Sequence, residues 1–338
     1  MVRLKWLLVG AGNIARIRVG AALVQAQGSE LCAICDLDRE RAESLAQDLG
    51  IAPGIFTDFD RALAESGCDA VYIATQVTSH ADLCIRAAKA GKHFLVEKPL
   101  ALSGDNAVRL LRAVADMPVR TSCSDYRRLS EQYRTTERLI REEAIGELTG
   151  GWMNWTFRNR TSIGNTRLER AIGGSPLKTL AFYIIDMVHN LFGPPDSVFA
   201  KTCCGLNPET DIEDLSAIIL SFPNGAIFNL QVVFSPTAYH HELELYGQAG
   251  SIYLEKWPPA GNGPVLLRQV GKTPESFDVK TDPNYHKPMV EDFVCAVRDD
   301  REPVCSLASA VKTELITDAI FRSAESGKLE PVDYRGIA

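Results

Sequence analysis

The stretch FLVEKPL at 94–100 ends an apolar run abruptly in an acid, a lysine and a proline. Charged side chains are seldom placed at the end of a buried strand for packing, so Glu97 and Lys98 read either as a solvated strand tip or as working chemistry. Pro99 fixes its own φ and keeps Lys98 extended, which aims an ammonium in one direction. A cis Lys98–Pro99 bond is available, because X–Pro bonds have only a small trans preference. Glu97 reads as a local charge partner of Lys98 or as an acceptor that anchors the backbone.

A second cluster, Gly10-Ala11-Gly12-Asn13-Ile14-Ala15, follows the apolar run WLLV and precedes a helical pattern. In G-x-G-x-x-A the first glycine permits a tight turn, the second lets the backbone approach a pyrophosphate, and the small Ala15 allows close helix–sheet packing. The helix N-terminus then receives the diphosphate. Alone this motif is weak. Asp36 strengthens it, because it ends the next strand pattern near the interval of about 20 residues at which an acid takes the adenosine ribose hydroxyls. The alternative is that Asp36 caps the following helix. Gly10, Gly12, Asn13, Ile14 and Asp36 are therefore expected cofactor contacts. The Asp36 carboxylate repels a 2′-phosphate and favours NAD, whereas Arg39 and Arg41 close by leave NADP as the alternative.

A third cluster lies on GGSPLKTLAFYIIDMVHNLFG at 173–193, which reads as one helix with Ser175 as N-cap, Pro176 in the first turn and Gly193 at the stop. Thr179, Tyr183, Asp186 and Asn190 recur at i, i+4, i+7 and i+11 and form one stripe, with His189 on another face. A polar stripe on an apolar helix needs water, partners or a ligand, and the alternative is a hydrogen-bonded domain interface.

The elements that must hold these clusters follow from periodicity. From residue 4 to about 123 short apolar runs alternate with helical patterns: LKWLLVG, ELCAICD, AVYIAT, HFLVEKP and PVRTSCS, separated by helices that include RERAESLAQDLG and ADLCIRAAKAG. The class is α/β: a doubly wound parallel sheet of Rossmann type over 1–123. Residues 124–338 then form an α+β domain with an open, mainly antiparallel sheet. Its signals are GGWMNWTFRNR, hairpin turns at Pro223-Asn224-Gly225 and Gly247–Gly250, and helices near 130–143, 287–299 and 306–326. The alternation is read as placing Trp152 and Trp155 on one side of that sheet.

Bulk composition excludes other classes. The 338 residues carry 36 basic against 43 acidic side chains, a formal charge of -7 without basic runs, which argues against nucleic acid and for small-molecule partners. The first apolar stretch is too short for a membrane span and lacks a secretory leader, so a cytoplasmic address is expected. Nine cysteines without paired metal spacing suit reduced thiols, and Cys32 and Cys35 read as strand packing.

Together GAGNIA at 10–15, AGKHFLVEKPL at 90–100 and the two-domain order resemble the glucose–fructose oxidoreductase and inositol dehydrogenase family, often written Gfo/Idh/MocA. The resemblance covers nearly the whole chain, and AGKH…EKP is its most specific part. It implies that Lys98 lies beside the nicotinamide and assists hydride transfer without a metal. Thr75, Gln76 and His80 stand where the family has T-P-N-x-x-H, which implies nicotinamide-side contacts, with a helix-start cap as the alternative for His80. Arg127 or Arg128 stands where relatives carry an arginine opening the second domain, which implies a reach towards substrate in the crevice, with a solvated or structural salt bridge as the alternative. The family's D-x-G-x-H-x-x-D falls on Thr179, Ala181, Tyr183 and Asp186, so the usual histidine is replaced.

A tyrosine can do that work, since positive charge such as that of Lys98 lowers a phenol's pKa. Tyr183 is then the proton-transfer group, Lys98 polarises the substrate oxygen and Thr179 positions it. The implied substrates are sugars, cyclitols or related polyols, reacting at a secondary alcohol or ketone. Asp186 and Arg160 are further substrate candidates, Arg160 within a cluster with Arg158, Arg167 and Arg170. The alternatives are an NAD-dependent glycosidase-like enzyme and a catalytically idle dinucleotide-binding regulator. A homodimer or homotetramer through the second-domain sheet is implied by resemblance.

Overall fold

The computed structural model describes residues 3–158, 174–205, 212–235, 240–256 and 263–337. The chain divides into two compact units, one formed by residues up to Leu129 with Asp282–Val311, the other by Ser130–Thr281 with Lys312–Gly336.

The first unit is built on six parallel strands, β1 (Leu4–Val9), β2 (Ser29–Cys35), β3 (Gly54–Phe56), β4 (Ala70–Ile73), β5 (His93–Val96) and β6 (Thr121–Cys123), in the order β3-β2-β1-β4-β5-β6. This is the doubly wound order of dinucleotide-binding domains. Helices cover both faces, so β4 is buried at every residue and β1 from Trp6 to Val9. After the glycine-rich turn, helix continues through a π segment at Ala15–Val19 into α1 (Gly20–Gln25). Helices α2 (Arg39–Leu49), α3 (Phe59–Glu65), α4 (Val77–Lys89) and α5 (Gly104–Val114) follow. The Asp38, Asp58 and Ser103 side chains cap α2, α3 and α5 by accepting from backbone N–H groups. The cap of α2 is thus Asp38 and not Asp36. The three-residue β3 and the short α3 are too brief for their periodicity to mark them in the sequence.

In the second unit α6 (Glu131–Arg141) precedes a nine-stranded sheet and α7 (Phe182–Phe192) packs within the same unit. Its strands are β7 (Leu148–Arg158), β8 (Ser197–Cys203), β9 (Leu215–Ser221), β10 (Ile227–Ser235), β11 (His240–Gly247), β12 (Gly250–Leu254), β13 (Val265–Gln269), β14 (Glu275–Phe277) and β15 (Glu330–Pro331), in the order β14-β13-β12-β11-β7-β10-β9-β8-β15. The two expected hairpins join β9 to β10 and β11 to β12. All pairs are antiparallel except β7–β10, which is parallel. Trp155 is 1% exposed while Trp152 is half-buried and donates to the Tyr246 hydroxyl on the open face. The expectation of a shared side fails because residues three apart on a period-two strand point to opposite faces.

Helix α8 (Lys287–Arg298) follows the second-unit sheet in sequence but belongs to the first unit. Met289, Val290 and Phe293 join the core of Trp6, Leu8, Leu23 and Ile34, with the Phe293 ring 5.2 Å from that of Trp6. Helix α9 (Leu307–Ser326) is cut by the division between the two units. No helix among the described residues is long and apolar enough to cross a membrane.

Truncating Phe293, which is fully buried, to alanine is expected to cost about 3–5 kcal/mol. Urea unfolding followed by Trp6 fluorescence checks this; an unchanged midpoint would place α8 outside the first core.

Candidate active site

Parallel pairing sets Val9 opposite Ile73 and Ile73 opposite Val96, so β1, β4 and β5 end level. The segments that leave them carry Gly10, Thr75 and Lys98. At Gly10 φ is +95°, and a Cβ would meet the Ala74 carbonyl oxygen at 2.7 Å, so only glycine turns here against the next loop. At Gly12 a Cβ would meet nothing within 4 Å. That open backbone, ahead of the helix that starts at Asn13 and Ile14 with Ala15 fully buried beneath it, fits the approach of a dinucleotide diphosphate.

Asp36 reaches back across this turn. Its carboxylate accepts from the Ala11 N–H at 2.6 Å and from the Asp38 N–H at 2.9 Å, and the residue stays partly exposed at the end of β2. Each carboxylate oxygen can accept a further bond, as a ribose diol requires. Arg39 lies 3.5 Å from Glu43 and Arg41 lies 3.3 Å from Asp38, so both guanidinium groups already face acids. The Cys32 and Cys35 thiols are each pushed up to about 11, mainly by burial, so neither is a thiolate near neutrality.

The Thr75 hydroxyl pairs with Ser79 at 2.8 Å, and the exposed Gln76 is the N-cap position of α4. His80 is not that cap. Its ring is 1% exposed, with Nδ1 3.0 Å from the Pro99 carbonyl oxygen and Nε2 3.2 Å from that of Thr75, so it sits between the loops after β4 and β5 and, as a neutral imidazole, donates to one of the two. Burial outweighs the pull of these carbonyls and holds His80 below its ordinary 6.5.

The Lys98–Pro99 bond is cis, and Lys98 is half-buried. Glu97, 6% exposed, is turned inward: its carboxylate accepts from the Tyr72 hydroxyl at 2.8 Å and from the Lys98 N–H at 3.3 Å. Nε2 of His286 lies 3.3 Å from the same carboxylate, within ion-pair range though off-line for a hydrogen bond. Burial alone would raise the Glu97 carboxyl, but His286, the Tyr72 hydroxyl and the Lys98 charge together hold it below its usual range. Of the two readings of Glu97, this geometry fits the backbone anchor. Burial beside this carboxylate holds the Tyr72 phenol well above its ordinary range.

Tyr72 and His286 carry no signal in the sequence as site residues: one reads as strand core, and the other sits far along the chain before α8. Tyr126 packs its ring 4.7 Å from His286 and stacks on Tyr285 at 5.7 Å, while the Arg18 guanidinium covers Tyr285 at 4.7 Å. Arg127, expected to reach substrate, is 4% exposed in the 3-10 turn Tyr126–Leu129, with its guanidinium 5.7 Å from the Tyr126 ring. Arg128 donates to the Ser309 hydroxyl.

In the second unit the expected single helix is a π segment, Leu177–Ala181, running into α7. The Ser175 hydroxyl accepts from the Leu177 and Lys178 N–H groups, as expected of a cap, and itself donates to the buried Glu213. Thr179 donates to the Ser175 carbonyl at 2.7 Å, and Tyr183 is 6% exposed. The wide π turn lies between cap and α7, a placement common at functional helices. The Asp186 carboxylate accepts from Thr313 at 3.0 Å and from Asn190 at 3.3 Å, and lies 3.4 Å from His189, whose Nε2 is 3.0 Å from the Thr313 hydroxyl. His189 therefore shares the Asp186 cluster through i,i+3 spacing and does not sit on a separate face. Arg160, Arg167 and Arg170 lie outside the described residues, as does the side chain of Arg158.

The low His80 value gives a signed expectation. Above pH 6.5 folded and unfolded chains both hold a neutral imidazole; below it the unfolded chain takes a proton that the folded chain refuses, so stability falls as pH drops. His80→Gln is expected to flatten this acid limb in urea titrations run from about pH 7.5 to 5. An unchanged limb would assign the proton elsewhere.

Comparison with known proteins agrees with this geometry. A family model described as an oxidoreductase family with an NAD-binding Rossmann fold matches residues 4–124, and the GFO/IDH/MocA C-terminal domain matches residues 133–253. An uncharacterised oxidoreductase of Rhizobium meliloti is 30% identical over 96% of this chain and 98% of its own. A D-xylose 1-dehydrogenase (NADP(+)) of Haloferax volcanii is 27% identical over 92% of this chain and 94% of its own. Levoglucosan dehydrogenase, solved with NADH and levoglucosan, superposes with a TM-score of 0.87 at 22% identity over 98% of this chain and 99% of that one. With both domain models matched across a doubly wound sheet and its glycine turn, the chain belongs to the GFO/IDH/MocA family of oxidoreductases and carries its NAD-binding Rossmann domain.

Proposed function

We propose that this oxidoreductase interconverts a secondary alcohol and a ketone on a sugar, cyclitol or related polyol, with NAD preferred over NADP. The observation that carries this reading is the placement of Lys98: it leaves β5 level with the glycine turn after β1, on the strand edge where parallel sheets bind ligands. The similarity to a xylose dehydrogenase supports a sugar-type substrate.

Bound NAD supplies the hydride acceptor or donor. Gly10, Gly12, Asn13 and Ile14 would hold its diphosphate, Asp36 its adenosine ribose, and Thr75 and Gln76 its nicotinamide side. The two arginines beside Asp36 already face acids, which supports the preference for NAD. Lys98 polarises the reacting oxygen, Tyr183 moves its proton, and Thr179 positions it through its hydroxyl. Asp186 fits a supporting role in this scheme, since Thr313 and Asn190 already donate to it. Arg127 fits one too, being almost wholly buried.

Assembly through the open face of the nine-stranded sheet forms part of the same proposal. Phe199 and Ile219 face each other across β8 and β9 at 39% and 38% exposure, and Ile227 and Tyr246 continue the patch at 49% and 41%. An apolar patch of this kind on a flat sheet suits a self-complementary interface.

A screen of sugars and polyols against NAD and NADP, following the absorbance of the reduced nicotinamide, tests the reaction. Lys98→Ala and Tyr183→Phe are each expected to lower kcat about 10²- to 10⁴-fold, and near-normal turnover in both would sink the mechanism. Tighter binding of NADP than NAD would overturn the cofactor preference. Ile219→Glu is expected to convert the assembly to monomers in sedimentation, and an unchanged species would reject the sheet interface.

A further inference from the structure

We infer that His286 is a positioning residue for Lys98, acting at a distance through Glu97. The inference rests on the reading of Lys98 given above. Three groups fix the backbone on either side of this lysine. The Glu97 N–H is tied into the sheet by the Ile73 carbonyl at 2.9 Å, the Lys98 N–H is held by the Glu97 carboxylate at 3.3 Å, and the Pro99 carbonyl is met by His80 at 3.0 Å. Pro99 has no N–H, so the Glu97 carboxylate is the group that holds the donor between the end of β5 and the proline.

That carboxylate needs holding in turn. Tyr72 donates to one of its oxygens from within the sheet, and His286 approaches the same oxygen at 3.3 Å from the N-cap position of α8. His286 is itself fixed: Met289, Val290 and Phe293 set α8 into the core, and Tyr126 covers the imidazole and stacks on Tyr285. The charged and titratable groups about Glu97 are therefore Tyr72 on β4, His80 on α4, Lys98 next to it and His286 at the start of α8.

Hydrogen bonding by the ring does not account for the place of this imidazole. His286 is 2% exposed, and neither of its ring nitrogens has a hydrogen-bond partner among the described residues. Its Nε2 nevertheless faces the Glu97 carboxylate at 3.3 Å, and a buried carboxylate that loses such a facing group is left poorly compensated. What the pair does achieve is orientation: it fixes one rotamer of Glu97, which fixes the Lys98 amide, which sets where the ammonium begins.

The test uses the full-length protein with NAD+ bound and compares His286→Leu with His286→Gln, whose amide again presents a polar N–H towards Glu97. In His286→Leu the Lys98 amide is expected to exchange with solvent about tenfold faster or more, as a locally released hydrogen bond does. Mass spectrometry can read this exchange because Pro99 contributes no amide. With the polyol that the screen identifies, kcat is expected to fall about 10- to 100-fold, as for a slightly misplaced catalytic group, while KM for NAD+ stays within about twofold; the thermal midpoint falls as well, because the buried Glu97 loses a facing group, so the split between kcat and KM is what separates positioning from folding. His286→Gln is expected to recover most of both losses.

Wild-type protection of the Lys98 amide in His286→Leu, or a glutamine variant no better than leucine, would overturn the inference. Should His286→Leu fail to fold, Tyr72→Phe removes the hydroxyl that donates to the same oxygen of Glu97 and must loosen the same amide. If Lys98→Ala keeps full turnover, the role given to Lys98 falls, yet the exchange of its amide still decides whether His286 holds that segment.

Discussion

Everything in the first unit follows from the level ends of three parallel strands. Because β1, β4 and β5 stop in register, the turns that leave them have no room to avoid one another. Gly10 turns directly against the Ala74 carbonyl, and His80 sits between the backbone beyond β4 and the backbone beyond β5. Sterics decide the first contact and hydrogen bonding the second. Between them they carry rigidity from the sheet out to residues that would otherwise lie on loose loops.

Each unit also buries a carboxylate close to the proposed chemistry, and each satisfies it in a similar way. Glu97 takes a phenol hydroxyl and faces an imidazole; Asp186 takes a threonine hydroxyl and faces an imidazole. Removing a charge from water is costly, and a carboxylate with mismatched partners would protonate or turn outward. At Glu97 the hydroxyl, the imidazole and the backbone N–H together favour the ionised acid and limit it to one geometry. Such networks belong to the support of a site.

Much of this was legible in the sequence where the chemistry is local. The glycine turn, Asp36 and Lys98 each contradict their surroundings within a few residues: glycines where a helix begins, and charges where an apolar run ends. The strand alternation that revealed the parallel sheet has the same short range. Long-range partners have no such signature. Tyr72 sits in AVYIAT as one more apolar strand residue, and His286 stands alone before a helix. The membership of α8 in the first core was hidden for the same reason, since its apolar stripe would serve either unit equally well. The π turn at Leu177–Ala181 was missed because side-chain spacing reports periodicity and not which carbonyl a given N–H selects. Trp152 and Trp155 are a different case: strict alternation separates them, and their shared face was a misreading of a rule the sequence did contain.

The return of α8 to the first unit also bears on synthesis. While the ribosome has delivered only the first 129 residues, Trp6 and its neighbours still lack the cover of Met289, Val290 and Phe293. Half of a hydrophobic interface is then exposed while the whole second sheet is still being made, a state prone to association with other chains. A nascent nucleotide-binding domain of this design must therefore wait, partly open, for a segment encoded on the far side of its companion, and cutting the gene between the two domains would leave that cover behind.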